Sequence, residues 1–167
     1  MSMHSCRSLV FAAAAALALP PQVHAQAAGA PSAAERAAVF KAAGAVRKEG
    51  QWRLCPDDPR GGAASLEQFR DINGDGYKDA LVTDGGTFCY GSTEAGYVLL
   101  AGQADGGWKT LDGGGGIVEF QAGEGQDGWP DILLGGPGFC FPVLRWNGRE
   151  YAVHRHEYEG KACRPNE

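Results

Sequence analysis

The chain repeats itself. The run Asp75-Gly76-Tyr77-Lys78-Asp79-Ala80-Leu81-Val82 returns as Asp127-Gly128-Trp129-Pro130-Asp131-Ile132-Leu133-Leu134, 52 residues later (127 against 75). Just beyond, Phe88-Cys89-Tyr90 is answered by Phe139-Cys140-Phe141 at an offset of 51 (139 against 88). Gly50-Gln51-Trp52-Arg53 likewise resembles Gly106-Gly107-Trp108-Lys109. A period of this size is one supersecondary unit used twice, each copy covering the apolar face of the other. Two copies are fewer than a closed propeller needs.

What the repeated unit is made of follows from its punctuation. From Gln51 onward short apolar runs alternate with glycine-rich turns: Trp52–Cys55, Ala80–Thr83, Tyr97–Gly102, Trp108–Leu111, Ile132–Leu134, Pro142–Trp146 and Tyr151–His156. Each has strand length. Ala104-Asp105-Gly106-Gly107, Gly113–Gly116 and Asn147-Gly148 between them carry turn chemistry, and Asn147-Gly148 is the strongest hairpin signal. All 26 glycines lie beyond residue 25, which implies many tight turns and few long helices. One helix is expected, over 33–48. Ser32 and Glu35 form a capping box, Val39, Ala42, Ala43 and Val46 share a face, Arg47 and Lys48 suit the negative end of the dipole, and Gly50 stops it. The expected fold is mainly β with one N-terminal helix, built from two duplicated β-hairpin units packed together and stapled by disulfides.

The N-terminus reads as an export signal. Arg7 gives a positive start, Leu9–Leu19 an apolar core, Pro20-Pro21 a break, and Val23-His24-Ala25 a peptidase site, so residues 1–25 are expected to be removed. That core is too short to span a bilayer, and no later segment is long enough, so no membrane insertion is expected. Cleavage would leave 142 of 167 residues: a linker over 26–31 and a single domain over 32–167. That part carries 14 basic against 20 acidic side chains. A net charge of −6 without a basic block disfavours nucleic acid and suits a cation. A periplasmic or secreted location is expected.

Four cysteines follow the signal: Cys55, Cys89, Cys140 and Cys163. An even number in an oxidising compartment reads as two disulfides. No two lie two residues apart, which argues against a thiolate metal site. The shortest loops favour Cys55–Cys89 with Cys140–Cys163, while Cys89–Cys140 nested inside Cys55–Cys163 stays open.

One segment has a specific chemical reading. In Asp71-Ile72-Asn73-Gly74-Asp75-Gly76-Tyr77-Lys78-Asp79, alternate positions put three side-chain oxygens on one side of a tight loop. Gly76 permits the bend that lets Tyr77 offer its carbonyl, and Asp79 adds a carboxylate. Hard, anionic oxygen ligands on a flexible loop suit Ca²⁺ better than Mg²⁺. An EF-hand would need Glu at position 12, where Val82 stands before a strand. With Asp-x-Asn-x-Asp-Gly-x-x-Asp leading into Ala80-Leu81-Val82, the chain resembles the FG-GAP/VCBS repeat family of extracellular calcium-binding β-repeats. The resemblance covers Asp71 to about Trp108 and, in part, the second copy. It implies Asp71, Asn73, Asp75, Tyr77 (through its carbonyl) and Asp79 as Ca²⁺ ligands. In the second copy Gly123 and Gly125 replace Asp71 and Asn73, leaving Asp127 and Asp131 with help at most from Glu124, so that loop reads as a turn that has lost its ion.

Other chemistry is thinner. His154 and His156 have zinc-like spacing but no third ligand. The glycine runs Gly113–Gly116 and Gly135-Gly136-Pro137-Gly138 lack the Lys-Ser/Thr of a phosphate loop, and Ser92 sits in no nucleophile elbow. The carboxylates Glu94, Glu119, Glu124 and Asp131 have no spacing that singles out a glycosidase pair. Trp129 beside Pro130 is either core or an exposed platform. The expectation is a non-catalytic, calcium-binding exported domain with a binding or envelope-structural role, its partner an unidentified protein or glycan of the cell envelope. The alternative is an envelope hydrolase, or hydrolase inhibitor, with an acidic cleft.

Overall fold

The structure, a computed structural model, describes residues 30–165. The expected signal segment and most of the linker lie outside the described residues. Helix α1 (Ala33–Ala42) leads into a hairpin, β1 (Val46–Lys48) and β2 (Gln51–Arg53), and then into nine further strands. These are β3 (Ser65–Arg70), β4 (Asp79–Gly85), β5 (Ala95–Gly102), β6 (Trp108–Gly115), β7 (Ile117–Glu124), β8 (Pro130–Gly135), β9 (Phe141–Trp146), β10 (Tyr151–Tyr158) and β11 (Lys161–Ala162). A one-turn helix, α2 (Thr87–Tyr90), lies between β4 and β5.

The duplication is visible as two sheets of the same topology. One is β3-β4-β5-β6 in order, the other β7-β8-β9-β10 with β11 added at its edge. All neighbours are antiparallel. Each copy is therefore a four-stranded meander and not a hairpin, because β3 and β7 each add a strand before the acidic segment to the three that follow it. The Trp52 and Trp108 segments are not equivalent in this arrangement: Trp52 lies in the N-terminal hairpin and Trp108 in the last strand of the first meander.

The core is layered. Leu81, Tyr97 and Leu99 of the first sheet pack against Trp129, Ile132, Leu144, Trp146 and Tyr151 of the second. The other face of the first sheet, with Ala80, Val82 and Leu100, receives Val39 and Phe40 of α1. Being covered on both sides explains why β4 reads as an unbroken apolar run. Trp129 is buried, so it is core and not a platform.

The helix is shorter than the expected 33–48. Its capping box is in place: Glu35 N–H donates to Ser32 Oγ at 3.2 Å and Ser32 N–H to Glu35 Oε2 at 2.8 Å. It ends at Ala42 because Ala45 N–H donates to the Phe40 carbonyl and Gly44 N–H to that of Lys41, with Gly44 at φ +79°. This is the paired-bond termination that a left-handed glycine permits. Val46, Arg47 and Lys48 then pair with Arg53, Trp52 and Gln51 across a turn at Glu49 and Gly50, both at positive φ. Gly50 is thus a hairpin turn and not a helix stop, and Val46 is exposed.

Two disulfides close the structure, Cys55–Cys89 and Cys140–Cys163, spanning 34 and 23 residues. The duplicated cysteines Cys89 and Cys140 are not joined to each other. Each ties the connection after its own second strand to a segment outside the meanders, at the N-terminal and C-terminal sides respectively. Two disulfides belong to an oxidising, non-cytoplasmic environment.

Candidate functional site

The loop Asp71–Asp79 joins the first two strands of the first meander. Arg70 ends β3 and Asp79 opens β4. Asp71 and Asn73 are half-buried, Asp75 and the Tyr77 side chain are exposed, and Asp79 is fully buried. The loop is wound by its own acids. Asp71 accepts N–H bonds from Gly74 at 2.7 Å and Gly76 at 2.9 Å, and Asp75 accepts from Tyr77 N–H at 2.8 Å. Asn73 Nδ2 also donates to Asp75 at 3.1 Å. With carboxylates turned onto backbone donors, no group of three His, Cys, Asp or Glu side chains among the described residues forms a ready-made metal cluster.

Asp79 is the odd member. Its oxygens accept from Ile72 N–H at 2.8 Å and Gly102 N–H at 3.1 Å, tying the loop to the end of β5. Burial raises its carboxyl above the ordinary carboxylate range. The two backbone bonds oppose that rise, while Asp75 and Asp71 add to it. Among the described residues no ion pair reaches Asp71, Asp75 or Asp79. A buried carboxylate beside two more, with only neutral donors, is an electrostatic cost that a cation would relieve. The donor set is all oxygen, which is the chemistry Ca²⁺ takes.

The second copy treats the same position differently. Asp131, which corresponds to Asp79, is also fully buried. Arg145 holds it through Nε–Oδ1 at 2.7 Å and Nη2–Oδ2 at 2.8 Å, and Arg155 Nη1 reaches Oδ2 at 2.6 Å. Arg155 is itself paired with Glu157 at 2.6 Å. Arg145, with help from Arg155, holds the Asp131 carboxyl below the usual carboxylate range despite burial. A general acid needs the opposite shift. Asp127, equivalent to Asp75, accepts the Trp146 indole N–H at 3.3 Å.

Sequence reasoning missed both arginines. Arg145 lies one step past the Ile132–Leu144 pair, a cross-strand relationship that appears only once β8 and β9 are in register. Arg155 is brought there by a bulge in β10. Val153 pairs with Leu144 and Arg155 with Val143, so His154 is the extra residue and Arg155 stands where His154 would have been. The bulge also interrupts the simple alternation that His154 and His156 would need to act as a pair.

The two loops touch. A Cβ at Gly128, where φ is +73°, would lie 2.3 Å from the Asn73 carbonyl oxygen. The second loop thus braces the first along its backbone, and only glycine allows the approach.

Of the other carboxylates, Glu94 and Glu119 line one cavity between the sheets and Glu124 lines another beside Trp146 and His154. No protein-family model matches the chain, and no curated protein or solved structure matches it significantly. What defines the protein is therefore its architecture: a duplicated antiparallel β-meander, capped by a helix and closed by two disulfides.

Proposed function

We propose that this is an exported, non-catalytic domain of the FG-GAP/VCBS type that binds one Ca²⁺ in the loop Asp71–Asp79. Its role is binding or structural support in the cell envelope. The observation that carries the reading is the contrast between Asp79 and Asp131. Both are fully buried carboxylates at equivalent positions. Asp131 is neutralised by two guanidinium groups, whereas Asp79 faces only N–H donors and two further acids. A calcium ion held by Asp71, Asn73, Asp75, the Tyr77 carbonyl and Asp79 would do for the first loop what Arg145 and Arg155 do for the second. It would order the entry to β4 and fix the meander that packs on α1.

The test is thermal unfolding of the disulfide-intact protein with calcium and with chelator. At about 100 times Kd, calcium bound only to the native state stabilises by about 2.7 kcal/mol, a rise of roughly 10 °C for a domain of this size. Asp71→Ala and Asp75→Ala, which change exposed or half-buried positions, abolish the rise while the protein still unfolds cooperatively. Superimposable curves with calcium and chelator would remove the reading.

A further inference from the structure

A wedge of about 580 Å³ opens between the two sheets, within the range of roughly 300–1,000 Å³ that ligand sites occupy. Leu81, Ala95, Val118 and Phe120 give it an apolar lining, and Glu67, Glu94 and Glu119 stand in its walls. Asp84, buried at one end, accepts N–H bonds from Leu54, Cys55 and Gly85, so a fourth negative charge sits behind the surface. Among the described residues no lysine, arginine or histidine lines it.

The wedge is bordered by β3 and β7, each an edge strand of its own sheet. They differ as edges. β3 carries a register shift between Leu66 and Gln68, a bulge that spoils strand addition. β7 pairs regularly over four consecutive residues, Ile117 to Phe120 with Gly135, Leu134, Leu133 and Ile132, before a register shift of its own between Phe120 and Glu124. That stretch carries neither lysine nor proline, Glu119 is its one charge, and Ile117 is 57% exposed. An edge with a single charge, beside apolar side chains and three glutamates, matches an extended strand that is both apolar and basic.

We propose that the wedge is a peptide-binding groove. It takes an extended segment of a partner protein, alternating basic and apolar side chains, added as a strand along Ile117–Phe120. The partner's backbone would pair with the free edge of β7, its apolar side chains would meet Val118 and Phe120 on the inner face, and its cations would meet Glu119 on the alternate face, with Glu67 and Glu94 adding negative charge from across the wedge. Main-chain pairing supplies affinity in this mode, and the alternate side chains supply choice of partner.

The probe is a labelled peptide of about ten residues alternating lysine and valine, followed by fluorescence anisotropy. Its controls are a glutamate–valine counterpart and a lysine–valine peptide N-methylated at alternate residues. The intact protein is expected to bind the lysine–valine peptide at least about tenfold more tightly than either control. The combined variant Glu67→Gln, Glu94→Gln, Glu119→Gln is expected to lose about tenfold in affinity with an unchanged melting curve. Equal binding of the N-methylated peptide would overturn strand addition, and equal binding of the glutamate–valine peptide would overturn the charge match. The proposal needs no metal, so binding should be the same with calcium and with chelator. Absence of a calcium effect on melting would therefore defeat the calcium loop and leave the groove standing.

Discussion

Arg145 and Asp131 face each other across β8 and β9 in a two-pronged pair, both carboxylate oxygens taken at 2.7 and 2.8 Å. With Arg155 on the second oxygen, this network closes the outer face of the second sheet. The corresponding face of the first sheet is covered by the second sheet, since Leu81 belongs to the core between them while its counterpart Leu133 borders an outer cavity. The last unit of a stack needs a polar exterior, and here it is assembled around a buried acid.

The first prediction concerns that acid. Replacing both arginines, Arg145→Met with Arg155→Met, leaves Asp131 buried with no cation. Removing the partners of a buried charge is strongly destabilising, and a fall in melting temperature on the order of 10 °C is expected. Adding Asp131→Leu should recover most of it, because an apolar replacement of the whole network leaves no stranded charge. Differential scanning calorimetry of the double and triple variants reads this directly. A triple variant no better than the double would show that the arginines act by packing alone.

A second prediction concerns pH. Asp131 has its folded-state carboxyl lowered by Arg145 and Arg155, so its contribution to stability is complete above the ordinary carboxylate value of about 3.9. As pH falls below that value and through the lowered folded value, the contribution is lost, because the unfolded chain takes up the proton first. In the Arg145→Met, Arg155→Met variant the sign reverses. Burial without a cation raises the carboxyl, so acidification from neutral pH should stabilise that variant through this group. Urea midpoints across the acid range, compared with an Asp131→Leu background, isolate the effect.

Much of this was legible in the residues, and the parts that were not have a common cause. Six of the seven apolar runs lie within strands and Trp52–Cys55 is strand only as far as Arg53, while the expected turn at Gly113–Gly116 is strand up to Gly115 because those glycines pair with β5. The cysteine pairing with the shortest loops is the one the structure has. β3 and β7 are not legible as strands because Ser65–Arg70 and Ile117–Glu124 are partly exposed edge segments that mix polar and apolar residues, and their strand character comes from pairing with β4 and β8. The expected helix runs past the end of α1 because Val46 continues the helical spacing, while the termination at Gly44 and the return pairing of β1 with β2 depend on backbone geometry. The acids of the first loop could be seen in order along the chain, but the arginines that answer Asp131 could not. They depend on the β8–β9 register and on a bulge at His154.

A third prediction follows from the contact between the loops. Gly128→Ala forces a Cβ toward the Asn73 carbonyl and a left-handed φ on alanine. A residue held at an unfavourable φ costs of order 1–3 kcal/mol, and here the first loop must also shift. Calcium affinity should therefore fall although Gly128 offers no ligand. Titration calorimetry of Gly128→Ala against the parent measures it, and unchanged affinity would mean the loops are independent.

The fourth prediction separates the two disulfides. In the chain-entropy description, closing loops of 34 and 23 residues stabilises by about 3–4 kcal/mol each. Their structural consequences should nonetheless differ. Cys140–Cys163 ties down β11, a two-residue strand at the sheet edge, so Cys140→Ser with Cys163→Ser should loosen the C-terminal segment and spare the core. Cys55–Cys89 lies beside Asp84, which accepts N–H bonds from Leu54 and Cys55 at 2.8 and 3.0 Å. These bonds hold the end of the β1–β2 hairpin to β4 after the covalent link is gone. Cys55→Ser with Cys89→Ser should thus keep the hairpin docked, and adding Asp84→Ala should release it together with α1. Amide hydrogen exchange over Val39 and Phe40 reports that release. Exchange that rises fully with the cysteine pair alone would assign the docking to the disulfide and not to Asp84.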